Sequence, residues 1–214
     1  VPEEVPISLL SGWNLISFLP SNDNYEGNGA VVSLSGDACF KGIDLEITYL
    51  LYPSLPVIRK QITIINNTDK EISIESLDVE RLMPGFGWDS WTSSVAYTNY
   101  FRQKHSGAYH GNWDDPVMAI HSQSLNAGII IGNEAPGVLK RITWNTSLND
   151  LSAGLTHTED IYPFRKYLAP GEKWTSPRTF VLPYTQEQNP FPAISSSLAD
   201  FERRHMGLRI FEYQ

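Results

Sequence analysis

Between Pro84 and Gln123 the chain gathers the side chains best suited to chemistry. Three of its six tryptophans (Trp88, Trp91, Trp113) and three of its five histidines (His105, His110, His121) fall in this stretch. Flat aromatic faces beside carboxylates and amides are what sugar binding needs. The apolar face of a pyranose stacks on a ring while its hydroxyls bond to Asp, Asn or His. Trp88, Asp89, Trp91, His110, Trp113 and Asp114 are therefore the candidate ligand-binding residues. The competing reading is that the same aromatics pin a long loop to a sheet, or are buried against another domain or subunit. Glycines and asparagines interrupt the stretch without a regular period, so a long functional loop is expected.

The same residues exclude several kinds of catalysis. A metal held by His105, His110 and His121 would need three loop ligands at irregular spacing, and no metal site is assigned. Asp114 and Asp115 are adjacent, so in an extended segment they face opposite ways. A glycosidase needs two carboxylates about 5–10 Å apart across one bond. No Gly-x-Ser-x-Gly elbow is present. Cys39, the only cysteine, sits in an apolar run without a marked basic neighbour. No catalytic residue and no cofactor is assigned.

Composition narrows the partners. The 214 residues carry 16 Lys+Arg against 24 Asp+Glu, a formal net charge of -8, with the basic residues scattered. That pattern lacks the footprint of nucleic-acid binding and disfavours anionic membranes. No apolar run approaches the roughly 18 residues of a membrane span. The lone cysteine excludes a disulfide framework and leaves the compartment open, secreted, periplasmic or cytoplasmic. The chain starts at Val1 without an initiator Met or signal-peptide pattern, as a trimmed N-terminus would. Asn66-Asn67-Thr68 and Asn145-Thr146-Ser147 match the glycosylation pattern, which matters only in a secreting eukaryote.

The elements that must position the candidate residues read as strands. Ile58, Ile62 and Ile64 fall on one face of an extended segment, and Arg59, Gln61 and Thr63 on the other. Asn66 to Asp69 supply a turn, and alternation resumes at Ile72 and Ile74 before changing parity at Leu77 and Val79. A long antiparallel hairpin with a bulge between Ile74 and Leu77 is expected. Further strands are expected over 13–19, 30–34, 43–49, 127–132, 138–144 and 179–184. Gly27-Asn28-Gly29 reads as a turn rather than a phosphate loop, and Pro170-Gly171 as a turn before a strand. Ile194, Leu198 and Phe201 recur at helical spacing, with serines to cap the start and Gly207 to end it. Many short strands punctuated by Gly and Pro give an all-β fold, a large antiparallel sandwich with one C-terminal helix. Residues 1–193 are expected as one sandwich domain, and 194–214 as a helix and linker toward a further domain.

The stretch from Leu55 to Leu77 resembles the N-terminal β-supersandwich domain of family 36 glycoside hydrolases, the α-galactosidase (melibiase) group. Trp88-Asp89-Ser90-Trp91, His110 through Pro116, Gly128 through Asn133 and Phe164 through Tyr184 fall in a similar order. Ala199 through His205 looks like the helix leading into that family's catalytic barrel. The resemblance covers about residues 30–206. It implies an accessory sandwich, non-catalytic alone, that serves packing, oligomerisation or the wall of a sugar site. Its partners would be a (β/α)8 catalytic barrel, a carbohydrate and further copies of itself. The barrel carries both catalytic aspartates in that family, so no catalytic residue is transferred. A stand-alone carbohydrate-binding module and a purely structural interaction domain are the alternatives.

Overall fold

A computed structural model describes residues 12–85, 89–96, 99–105, 109–111, 116–135, 140–155 and 164–206. All strand pairs among these residues are antiparallel. The largest sheet runs in the order β1 (Trp13–Asn22), β2 (Asn28–Gly36), β3 (Ile43–Tyr52), β4 (Leu55–Asn66), β16 (Thr179–Thr185), β11 (Ala127–Asn133), β10 (Val117–Ser122), β7 (Asp89–Ala96), β8 (Asn99–His105). A further strand, β15 (Lys173–Thr175), also pairs with β4. A second sheet has the order β6 (Leu77–Leu82), β13 (Asp150–Leu155), β12 (Lys140–Asn145), β9 (Tyr109–Gly111). The third pairs β14 (Lys166–Leu168) with β5 (Ile72–Ile74). The all-β antiparallel sandwich with one C-terminal helical segment is thus borne out.

The centre of the large sheet is covered on both faces. Every residue of β10 is buried, which explains why Val117 to Ile120 read as a continuous apolar run rather than an alternation. One face packs Met118, Ile120, Ile131 and Val181 against Ile142, Trp144, Leu151 and Ala153 of the second sheet. Farther along, Ile62 and Ile64 pack against Ile74, Val79 and Leu168. The opposite face packs Val57, Ile130, Phe180 and Leu182 beneath Ala193, Leu198 and Phe201 of the helical segment. The outer strands are less covered: on β1, Leu15, Ile16, Phe18 and Leu19 are all exposed.

Three local expectations change. The hairpin is the first: β4 pairs with β3, β15 and β16, whereas β5 and β6 belong to the other two sheets. The Asn66–Asp69 turn is real, but it carries the chain across the core and the two arms face each other through side chains. The parity change between Ile74 and Leu77 follows from the break between β5 and β6. The register irregularity lies beyond it, where Ala153 pairs with Glu80 and Gly154 with Asp78, leaving Val79 extra. Second, β4 itself switches its inward parity: Val57 and Arg59 are buried while Ile58 is 40% exposed, and from Ile62 onward the even positions are inside. Third, the helix begins before Ile194, with α1 (Phe191–Ala193), a π-helical stretch Ile194–Leu198 and α2 (Ala199–His205). The serines do not cap it. Asn189 Oδ1 accepts the Phe191 N–H, and Ser195 and Ser196 donate back to the Phe191 and Pro192 carbonyls. Such back-bonding competes with the regular helical ladder and accompanies the widened turn.

Of the two glycosylation triplets, the first is closed off by burial. Asn66 is fully buried, and its amide donates to the Lys70 and Leu168 carbonyls. Asn145 Oδ1 accepts the N–H groups of Ser147 and Leu148 in a tight turn.

Close packing leaves no room for a side chain at several glycines, Gly132 among them. A Cβ at Gly132 would fall inside the Phe180 ring of the neighbouring strand. Gly132→Ala is expected to destabilise the fold by about 1–3 kcal/mol, the usual cost of overpacking. A denaturant midpoint within error of the unmodified chain would contradict this.

Candidate functional site

The sequence-derived candidates are divided between sheets. Asp89 opens β7 opposite His121, and Trp91 sits on the same strand between Ala119 and Lys104. His110 lies in β9, opposite Thr143 in the second sheet. Trp88, Trp113 and Asp114 lie outside the described residues, as do their neighbours between 106 and 108. Where the sequence led us to expect a long irregular loop, four strands (β7 to β10) occupy much of the stretch. Of the three histidines there, His121 is fully buried, its Nδ1 lies 3.1 Å from the Tyr184 hydroxyl and its ring stacks on Tyr184. Among the described residues no three His, Cys, Asp or Glu side chains converge as a metal site.

A polar cluster that the sequence reading missed lies between β4 and the end of α2. Arg59 has only 3% of its side chain exposed. Its Nε and Nη2 donate to Glu134 Oε1 and Oε2 at 2.7 and 2.5 Å, a bidentate pair. Nη1 donates to the Tyr52 hydroxyl at 3.1 Å and to the His205 carbonyl at 3.0 Å, the latter satisfying an end of α2. The Tyr52 hydroxyl in turn donates to Asp23 Oδ2 at 2.8 Å. His205 closes the group, with Nδ1–H donating to the Tyr25 carbonyl at 2.7 Å and its ring against Tyr52. Arg59 stood on the polar face in the sequence reading; the signal that could have corrected it was its place between residues of opposite inward parity.

Burial alone would lower the Arg59 pKa, but the hydrogen bond and charge of Glu134 outweigh it and hold it above the ordinary arginine value. Burial also opposes ionisation of Asp23. The bonds from Tyr52, Tyr25 N–H and Gly27 N–H, with the charge of Arg59, nonetheless hold its carboxyl below 3.8. Tyr52 is pushed up to about 12, first by burial and then by the neighbouring Asp23 carboxylate, against the opposing Arg59 bond.

Beside this cluster the sheet is broken by design. Thr175 pairs with Thr63 and Thr179 with Lys60, so the segment Ser176-Pro177-Arg178 holds one residue more than its partner strand. Side chains repair the ladder: Ser176 Oγ accepts the Ile62 N–H at 3.1 Å, and Gln61 Nε2 donates to the Ser176 carbonyl at 2.7 Å. Pro177, with no N–H to place, fits this position. A recess of about 620 Å³ opens at the bulge, walled by Phe164 and Trp174 and edged by Gln61, Glu134 and Arg178. A smaller one, about 200 Å³, continues beyond Gln61 and Arg178 toward Asp23 and Thr48.

This architecture is a β-supersandwich with a helix docked on its outer face. No sequence-family model matches the chain, and no curated protein matches it in sequence. Solved structures do share the fold. An α-galactosidase from Lactobacillus brevis superposes with a TM-score of 0.68 at 16% identity, over 90% of this chain and 28% of the enzyme. The family 36 α-galactosidase AgaA from Geobacillus stearothermophilus does so with a TM-score of 0.66 at 13% identity, over 84% of this chain and 29% of the enzyme. The galactosidase domain of the α-galactosidase-sucrose kinase AgaSK gives 0.62 at 15%, over 82% and 28%. The chain therefore spans less than a third of the length of these enzymes, and the expected likeness to the supersandwich of family 36 is borne out in the fold.

Two outcomes follow from the buried cluster. Glu134→Leu removes the bidentate partner of Arg59 and leaves only Asp23, 3.6 Å away, to face its charge. It is expected to cost up to about 3–5 kcal/mol, much of which the double variant with Arg59→Met recovers. Equal midpoints for the single and double variants would contradict this. The raised Tyr52 value means stability present below the unfolded value of 10.0 and lost as pH rises through about 12. Alkaline titration by circular dichroism is expected to show that loss, and Tyr52→Phe to flatten it.

Proposed function

We propose that this chain is the accessory, non-catalytic N-terminal domain of an α-galactosidase-like glycoside hydrolase. The observation that carries the reading is the superposition of 82–90% of this chain on 28–29% of three α-galactosidase chains. Fold kinship does not by itself fix function, so the role rests on what the surfaces offer. The partner in this reading is a (β/α)8 catalytic barrel, with α2 at the exit of the domain toward it. The Arg59 cluster fixes the end of α2 to the sheet.

Further copies of the chain, or the barrel itself, would cover the exposed apolar residues of β1, where Leu15, Ile16, Phe18 and Leu19 lie on an edge strand. Trp88, Asp89, Trp91, His110, Trp113 and Asp114 are proposed as the part of the domain that approaches the sugar in the assembled enzyme. The chemistry favouring them is unchanged: rings for a pyranose face, with carboxylate and imidazole for its hydroxyls.

The reading is tested with the 214-residue chain and an aryl α-galactoside. No nitrophenol release above the buffer rate is expected, and turnover that persists through exhaustive purification overturns the non-catalytic assignment. The reading frame beyond Gln214 tests the other half: a barrel-sized extension is expected, and a frame that closes directly, with no barrel encoded beside it, removes the accessory role.

A further inference from the structure

We propose that the recess at the Ser176-Pro177-Arg178 bulge is a saccharide-binding site, taking a neutral pyranosyl unit with its apolar face toward Phe164 and Trp174. It shares no residue with β7 or β9, so it is separate from the stretch proposed to line a barrel's sugar site. Its volume of about 620 Å³ lies within the roughly 300–1,000 Å³ of small-ligand sites.

The wall is aromatic. Phe164 and Trp174 have ring centroids 5.6 Å apart and planes tilted by 37°, and both are only partly buried. The rest of the lining includes polar groups, Gln61, Glu134 and Arg178, that offer both donors and acceptors. Arg178 is 30% exposed; its Nε lies 3.5 Å from Gln61 Oε1 and its Nη1 3.9 Å from Asp23 Oδ2, distances that leave most of the guanidinium's five donors available. Glu134 spends both oxygens on Arg59, yet each carboxylate oxygen keeps a further lone pair, and 13% of the side chain reaches the surface.

This mixture selects a ligand class. An anion drawn to Arg178 would meet the Glu134 carboxylate, and a cation drawn to Glu134 would meet Arg178. A wholly apolar molecule would strip water from both charged groups without replacing its hydrogen bonds, at a cost of kilocalories per group. A neutral molecule rich in hydroxyls, each able to donate and accept, satisfies both edges while presenting a C–H face to the rings. The smaller recess of about 200 Å³ shares Gln61 and Arg178 and continues the polar lining, which extends the site to a linked second sugar.

The groups are also held in advance. Gln61 is fixed by the Ser176 carbonyl at 2.7 Å, Glu134 by its fork to Arg59, and Trp174 by its register opposite Ile64. Gln61 and Glu134 thus lose little side-chain entropy on binding, which leaves the ordering of Arg178 as the main such cost.

The test is calorimetric titration of the 214-residue chain with galactose, melibiose, raffinose and unrelated disaccharides, followed by tryptophan fluorescence. Saturable binding of at least one of these is expected, weakened about tenfold or more in both Trp174→Ala and Arg178→Ala and unchanged in Trp113→Ala. Trp174 contributes to the core; if its variant fails to fold, Arg178→Ala at the part-exposed position decides alone, with a thermal melt to show the fold is retained. Flat titrations with every sugar overturn the proposal. So does binding that survives Arg178→Ala, or that Trp113→Ala abolishes. These readouts are independent of turnover, so a catalytically inert chain leaves the proposal standing or falling on binding alone.

Discussion

A guanidinium buried to 3% exposure must be neutralised and fully hydrogen-bonded, or the fold loses several kilocalories per mole. Arg59 imposes that requirement on four other parts of the chain. Glu134 comes from the end of β11, Tyr52 from β3, Asp23 from the turn after β1, and the His205 carbonyl from the last turn of α2. Each of these segments can sit in only one place if the charge is to be met. The cluster therefore sets the position of the helical segment more narrowly than the apolar contacts of Leu198 and Phe201 could, since hydrophobic burial has no preferred direction. An apolar residue at position 59 would in many proteins be as stable or more so; the charge adds a single geometry.

The neighbouring bulge shows how a sheet opens without losing its hydrogen bonds. Pro177 removes a donor and the extra residue breaks the register, yet Gln61 and Ser176 supply side-chain partners to the backbone groups left over. The sheet stays intact on both sides while Arg178 turns out of the ladder. Loops usually supply binding groups on a rigid scaffold. Here polar side chains are set on the strands of the scaffold itself, at the Ser176-Pro177-Arg178 bulge.

The likeness to α-galactosidases at 13–16% identity, with no match by sequence, follows from how such folds are encoded. A two-faced sheet asks for apolar residues at alternating positions, turns where the chain must reverse and space where strands cross. Many sequences meet those conditions, because cores tolerate exchange among apolar residues of similar total volume. Binding groups are less forgiving, since a ligand reads individual donors and rings. Fold can thus persist while particular contacts differ.

The class of fold and most of its elements were legible in the sequence because alternation and Gly/Pro punctuation are local signals. The strands at Ile43–Tyr52, Ala127–Asn133 and Thr179–Thr185 and the helix through Phe201 could be read from spacing alone, as could the turns at Gly27 and Gly171. Which strands pair was not legible. The segment from Pro56 to Glu80 reads as a hairpin because two alternating runs flank a good turn, yet β4 pairs on one side with β3 before it and on the other with β15 and β16, more than a hundred residues downstream. Sequence spacing carries no information on that choice; the burial available on each face decides it. The inward turn of Arg59 was hidden for the same reason, since an arginine beside Ile58 looks outward until Glu134 and Tyr52 are brought to it. Residue types determined that this chain is an antiparallel sandwich that carries clusters of aromatic and polar groups. Only the tertiary structure decided which of them converge, because convergence depends on contacts between residues far apart in the chain.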